Sequence, residues 1–390
     1  MRVTVLKGER LGGLRAVDVG ESDWEHLDAC PICHTAAALT DIGTAHGRRA
    51  AGVLAACSDC AHVFLRRRPR ASWFDAFYAS DWDSRNQEGA RSGGLSKAPD
   101  PRVLDFCAAH LPEAARVLDV GAGFGSQLVP FRDGGHEVAG VERSSHRAHH
   151  LRETLRIPCD HGPIEAVTAA RPFDLVFAHH VLEHVSDPAA TVAHLHGLLD
   201  DRGLVYIAVP SLWRELAPQS LHFAPHLSQY TLRSLTRLLC RSGFEIVAAE
   251  EGRDLQVLAR RSATPGEASS FAESGPHGEP FDASVRAWVI EGFGGLRPGT
   301  RTLVWTKANA GEALYEQRVV RGRRSVEAIL AGSRGLRRIP VKRIRKRARS
   351  ALPAWTQTKS LRLLPVRVED PDAFPLEVHH PRREAPIWVK

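Results

Sequence analysis

The chain has 390 residues, of which 43% are hydrophobic and 25% charged, a balance that excludes a disordered or collagen-like protein and favours two or three globular domains. No run approaches the roughly 18 apolar residues that a membrane span needs, and the N-terminus lacks a secretory signal, so a soluble, cytoplasmic setting is expected. The net charge of +7 is local: residues 318–349 hold thirteen Lys/Arg against the single acid Glu327, and removing that +12 leaves −5 for the rest.

The first feature along the chain is a pair of Cys-x-x-Cys turns, Cys30/Cys33 and Cys57/Cys60, separated by 23 residues. Two such turns bring four thiolates together tetrahedrally, which predicts a structural zinc ribbon with no open position for catalysis; free thiols or redox pairs are the alternative. His34, His46 and His62 are reserve ligands, and Cys107, Cys159 and Cys240 are scattered. Residues 71–82 carry Trp73, Phe74, Phe77 and Tyr78 on a short helical link. This link either covers a substrate site or packs between domains, and a polar loop follows to about Pro101.

Between residues 116 and 260, short apolar runs alternate with amphipathic stretches, the pattern of a parallel sheet with crossover helices. Strands are expected at 117–120, 137–141, 173–178, 204–209, 244–249 and 255–259, with a weaker one near Ile157. Asp187-Pro188 opens a helix with Val192, Leu195 and Leu199 on one face, and Thr231 caps another carrying Leu235, Leu238 and Leu239 that stops at Gly243. The last two strands are joined too tightly for a parallel crossover, so the final one should run antiparallel. Beyond about Ala263 a Pro/Gly/Ser/Glu-rich stretch reads as a linker, and the remainder carries no assignable motif.

Residues 117–126 end a strand at Asp119 and Val120 and then place glycines at 121, 123 and 125, which let the backbone approach a ligand before a helix begins. Glu142 closes the next strand 17 residues after Gly125, where a carboxylate can accept both hydroxyls of a ribose. Ser126 stands where a dinucleotide binder prefers glycine or alanine, and Asp119 at the mouth suits a cationic ligand better than a diphosphate.

With Asp-Val-Gly-Ala-Gly-Phe-Gly (119–125) and Phe-Asp-Leu-Val-Phe-Ala-His-His-Val-Leu-Glu-His-Val-Ser-Asp-Pro (173–188) in view, residues 101–260 resemble a class I S-adenosylmethionine-dependent methyltransferase. The resemblance implies a Rossmann-like seven-stranded sheet with its last strand antiparallel. It implies that Asp119, Gly121, Ala122, Gly123 and Gly125 line the methionine portion of S-adenosyl-L-methionine and that Glu142 holds the ribose. Pro163, Ile164 and Glu165 fall near the adenine, and His179 and His180 near the sulfonium.

His180-Val-Leu-Glu183-His184 also reads as His-x-x-Glu-His, a zinc-peptidase signature that needs both histidines one turn apart on a helix. Here the pentapeptide lies in a strand-to-helix loop, which argues against a peptidase. In some related quinone-precursor methyltransferases acidic and His residues at this loop hold a divalent ion; the alternative is that Glu183 and His184 fix the loop by hydrogen bonds. Residues 222–230 follow the fifth strand, where the resemblance places a substrate-facing His. His226 is the preferred general base, with His180 and His184 as further catalytic candidates, because imidazole titrates near neutral pH.

The expected organisation is therefore a zinc-ribbon module (1–70), an aromatic helical link (71–100), a methyltransferase core (101–262) and a C-terminal α+β extension (263–390) containing the basic segment 318–349. The expected function is methyl transfer to a small-molecule acceptor such as a sugar, polysaccharide precursor or secondary metabolite. The alternative is an RNA methyltransferase that uses the zinc module and basic segment; a non-enzymatic zinc scaffold is opposed by the intact glycine loop. In the basic segment Pro340 breaks any helix, and Ile339, Val341 and Ile344 beside the Arg/Lys run suit an anionic membrane surface or lipid-linked substrate, which would make the protein membrane-peripheral.

Overall fold

The computed structural model describes residues 2–5, 10–11, 14–17, 19–46, 51–78, 98–215, 226–252, 254–264, 266, 281, 285, 299–307, 315–320, 360–369, 376–379 and 387–389. The basic segment beyond Val320, residues 222–225 and the loop at 79–97 lie outside the described residues.

The N-terminal part is built on strands β1 (Trp24–His26), β2 (Leu39–His46), β3 (Ala51–Cys57) and β4 (His62–Pro69), followed by helix α1 (Ala71–Phe77). The central part contains β5 (Arg116–Val120), β6 (Glu137–Glu142), β7 (Cys159–His161), β8 (Phe173–His179) and β9 (Leu199–Pro210). It closes with the two-residue β10 (Ser228–Gln229), then β11 (Phe244–Glu251) and β12 (Asp254–Arg261). The crossover helices include α2 (Leu128–Asp133), α3 (Ser145–Glu153), α4 (Pro188–Leu198) and α5 (Leu232–Arg241).

Seven strands form the Rossmann-like sheet in the order β7-β6-β5-β8-β9-β12-β11. β12 runs antiparallel to both β9 and β11, as the short joint between β11 and β12 requires. Both faces of this sheet are covered, so its central strands are nearly continuous apolar runs. Along β8, Leu175 and Phe177 enter one core and Val176 and Ala178 the other, following the two-residue alternation of a strand.

Local chemistry fixes the helix starts. Asp187 accepts from the Ala190 N–H at 2.9 Å with Pro188 at the first helical position of α4. Thr231 and Ser234 form a reciprocal capping box at the start of α5. Leu199, expected on the face of α4, instead begins β9 and is buried there. The weak strand expected near Ile157 lies two residues later, at Cys159.

The second sheet ties the chain's ends together. It runs β10-β4-β3-β2 and continues through backbone strands at Leu376–His379, Arg2–Val5, Ser360–Glu369, Gly299–Lys307 and Tyr315–Val320, with β1 also on β4. Four strands of the expected C-terminal extension thus continue the sheet that carries the cysteine turns, while Ile387–Val389 pairs with Leu14–Val17 in a separate small sheet. Cys30, Ile32, Cys57, Cys60 and Phe64 share one hydrophobic cluster with Leu182, Val192, Tyr230, Leu235 and Leu239 of the central domain. Among the described residues no helix is long and apolar enough to cross a membrane.

Candidate active site

The strand order reverses between the parallel neighbours β5 and β8, so the loops that follow their carboxyl ends diverge and leave a crevice at the topological switch point. A cavity of about 510 Å³ opens there. Gly121, Glu142, Ile164 and Glu165 line it together with Phe74, Tyr78, His180, His184 and Ser186.

The glycine loop is a backbone cradle. Gly121, Gly123 and Gly125 have φ of +75°, +56° and +75°, values that disfavour a side chain. A Cβ on Gly121 would meet Val181 Cγ2 at 2.6 Å, and one on Gly125 would meet Leu151 Cδ2 at 2.7 Å, whereas one on Gly123 would meet only the Gly121 carbonyl oxygen, at 4.0 Å. The Gly123 N–H donates to Glu142 Oε2 at 2.7 Å and the Ser144 N–H to Glu142 Oε1 at 2.8 Å. Each carboxylate oxygen keeps a further lone pair, and Glu142 is among the cavity-lining residues, so the cradle fits a ligand bearing neighbouring hydroxyls.

Asp119 is differently placed from the expectation of a charge at the mouth. It is 3% exposed and is not part of the cavity wall. Burial, reinforced by the charge of Glu142, pushes its carboxyl well above the usual range. Ala122 and Gly125 are likewise absent from the cavity wall. His179 is also outside the wall; burial and then its neighbour His180 bring it down to about 4, so it is a neutral imidazole.

His180 sits at φ +58° directly after β8, a strained conformation for a residue with a side chain. Its Nδ1 lies 3.2 Å from Glu183 Oε1 and its Nε2 3.3 Å from Asp254 Oδ2. Burial lowers its proton affinity, but the hydrogen bonds to Asp254 and Glu183 outweigh that and raise it to about 10. Both ring nitrogens are thus engaged by carboxylates, an arrangement that ties the loop after β8 to Glu183 and Asp254.

Leu182–His184 forms a single 3₁₀ turn, so the His-x-x-Glu-His pentapeptide does not lie on a helix and lacks the peptidase geometry. His184 enters the cavity, with Nδ1 3.4 Å from the Tyr78 hydroxyl and Nε2 3.7 Å from Glu183 Oε1. Its ring packs against His226 with centroids 4.8 Å apart. His226 therefore stands one ring behind the wall. Glu183 is 1% exposed; burial alone would raise its pKa, yet the three imidazoles at 184, 180 and 226 bring it down to about 2. Glu183, His184 and His226 have ligand atoms within 4.8 Å of one another, a spacing that admits a cation, as do His179, His180 and Asp254.

Helix α1 closes the cavity. Arg143 donates to Asp75 at 2.8 Å and its guanidinium lies 5.6 Å from the Tyr78 ring centroid, a latch between the helix and the end of β6. Asp254, Arg143 and the Arg68 contact described below were not legible in the sequence, because their roles depend on strands and loops that meet only in the fold.

At the cysteine turns, Cys30 Sγ lies 3.5 Å from Cys60 Sγ and Cys33 Sγ 3.5 Å from Cys57 Sγ, with all four within 4.8 Å. A tetrahedron with metal–sulfur bonds of about 2.3 Å has edges of about 3.8 Å, which this cluster fits. His34 and Ala61, each directly after the second cysteine of a turn, adopt φ of 61° and 56°, so the two turns have matching backbone strain. Hydrogen bonding with Cys30 lowers Cys33 to about 6, while Cys60 is pushed up. His34 and His62 are not in the four-cysteine cluster, and the side chain of His46 lies outside the described residues.

A family model described as a methyltransferase domain matches residues 94–249. The ubiquinone biosynthesis O-methyltransferase of Bordetella pertussis is 32% identical over 129 residues, covering 31% of this chain and 52% of that protein. That of Psychrobacter cryohalolentis is 33% identical over 133 residues, covering 31% and 49%. The chain thus spans about half the length of the curated relatives it matches.

Among solved structures, a Burkholderia thailandensis 1,6-didemethyltoxoflavin-N1-methyltransferase with bound S-adenosylhomocysteine aligns at 23% identity and TM-score 0.42, covering 52% of this chain and 96% of that one. A magnesium protoporphyrin IX methyltransferase from Synechocystis aligns at 18% and 0.40, covering 50% and 100%. The matched segment, which contains the glycine cradle and Glu142 and stops short of the reversed strand β12, is similar to a methyltransferase domain.

Proposed function

We propose that the protein transfers the methyl group of S-adenosylmethionine to an oxygen of a small-molecule acceptor. The observation that carries this reading is that one cavity joins the glycine cradle and Glu142 to Tyr78 and His184. When bound, S-adenosylmethionine supplies an electrophilic methyl on a sulfonium. Glu142 would hold the ribose hydroxyls, the loop of Gly121, Ala122, Gly123 and Gly125 would receive the methionine portion, and Ile164 and Glu165 would receive the adenine.

Transfer to a hydroxyl forms a C–O bond, breaks the C–S bond to give a neutral thioether, and releases one proton. His184 faces the cavity and accepts that proton; His226, packed edge-on behind it, acts through it. His180, already protonated, fixes the loop. The names of the quinone-pathway relatives support oxygen as the acceptor atom.

Cys30, Cys33, Cys57 and Cys60 hold one structural zinc in this reading, supported by the tetrahedral fit of their sulfurs and by the strained residues after each turn. The membrane-surface and RNA readings rest on 318–349, nearly all outside the described residues, and no observation favours either.

The test is incubation with methyl-labelled S-adenosylmethionine and a panel of phenols, sugars and amines. The reading expects label on a hydroxyl oxygen together with an equal amount of S-adenosylhomocysteine. Label confined to nitrogen or carbon would move the acceptor atom, and S-adenosylmethionine binding with no transfer to any small molecule would remove the acceptor class.

A further inference from the structure

The segment that carries His184 into the cavity is gripped at both ends by groups rooted beside the cysteine turns. At its start, the Tyr230 hydroxyl donates to the Leu182 carbonyl at 3.2 Å. At its end, Arg68 Nη2 donates to the Ser186 carbonyl at 2.7 Å, while its Nε holds Glu25 at 2.6 Å. Arg68 is 4% exposed and lies on β4, which starts two residues after Cys60.

Tyr230 is itself fixed by that same turn. β10 pairs with β4 through Ser228 opposite Phe64 and Gln229 opposite Val63. The Thr231 hydroxyl donates to the Ala61 carbonyl at 2.8 Å, and Arg233 and Arg237 donate to the Asp59 carbonyl at 3.0 and 2.8 Å. Asp59 and Ala61 flank Cys60. The cofactor cradle is braced otherwise: Gly121 and Ala122 donate to the Val141 carbonyl, and Gly123 and Ser144 to Glu142, all between β5 and the end of β6.

We propose that the four-cysteine turn positions the acceptor wall of the cavity, so that loss of its metal releases residues 182–186 and 226–231 while the cofactor cradle stays formed. This deepens the methyltransferase reading and rests on the zinc assignment above. Arg68 and Thr231 are positioning residues, because they act on His184 through the main chain of the loop it stands on. The module is thereby part of the acceptor site.

The test uses the full chain, intact and after zinc removal by a chelator, with hydrogen exchange followed by peptide and S-adenosylhomocysteine binding followed by calorimetry. Metal removal should cut protection at 182–186 and 226–231 by about tenfold or more, leaving 117–125 and 137–144 protected, with S-adenosylhomocysteine affinity changed by less than about threefold. Because the metal-free chain could unfold as a whole, Arg68→Gln and Thr231→Val are measured with zinc retained; each should loosen 182–186 alone or together with 226–231, and Thr231→Ser should restore protection. Wild-type exchange at 182–186 in both variants, or equal loosening of wall and cradle in them, would overturn the proposal. The exchange pattern decides it whatever the titration of untreated protein says about the methyltransferase reading.

Discussion

The hydroxyl of Thr231 donates to the main-chain carbonyl of Ala61 at 2.8 Å across 170 residues of sequence. The same oxygen accepts from the Ser234 N–H at 3.2 Å, so one side chain both caps α5 and docks it on the cysteine turn. Thr231→Val removes the cap and leaves a buried carbonyl unsatisfied, which should cost about 1–3 kcal/mol in urea denaturation, whereas Thr231→Ser should stay within about 0.5 kcal/mol of wild type.

Zinc content tests the ligand set. Elemental analysis should give about one equivalent per chain, as a single tetrahedral site requires. Cys57→Ser should lose zinc and melt at lower temperature, since the cysteines lie in the same core as Leu235 and Leu239. A variant that keeps its zinc and its melting temperature would contradict the assignment.

The ion-paired His180 predicts the shape of the stability profile. Its folded value of about 10 stands above the ordinary 6.5, so its contribution is complete below pH 6.5 and is lost as pH rises towards 10. Glu183 works in the opposite sense: lowered from 4.5 to about 2, it contributes above pH 4.5 and loses that contribution as pH falls towards 2. Urea midpoints should therefore decline on the alkaline side, and His180→Gln should flatten that limb.

Gly121 is constrained twice, by φ +75° and by the 2.6 Å approach of a built Cβ to Val181. Gly121→Ala should destabilise the chain by about 1–3 kcal/mol through backbone strain. It should also weaken S-adenosylhomocysteine binding, because Val181 can yield only towards the cavity it lines. Thermal melts with and without S-adenosylhomocysteine check both effects.

The glycine cradle, Glu142 and the reversed last strand were legible in the sequence because each depends on local residue order: a strand, a turn and a carboxylate at fixed spacing. The two helix caps at Asp187 and Thr231 were legible for the same reason. The ion pair of His180 with Asp254 was not, since Asp254 reaches it only after β12 has inserted between β9 and β11. Nor was the burial of Asp119, which raises its carboxyl above the usual range and keeps it off the cavity wall. The contribution of α1 was half legible: its aromatic spacing gave a helix, but the Arg143–Asp75 latch that sets Tyr78 over the cavity joins elements 68 residues apart.

The central claim, that the cradle and Glu142 bind S-adenosylmethionine, is tested most directly by calorimetric titration of the intact chain and Glu142→Ala with S-adenosylhomocysteine, using NAD as the competing ligand. The account predicts saturable binding of S-adenosylhomocysteine in preference to NAD and a loss of about 1.5–3 kcal/mol in the variant, the scale of hydrogen bonds to a charged group. Unchanged affinity in Glu142→Ala, or preference for NAD, would contradict it.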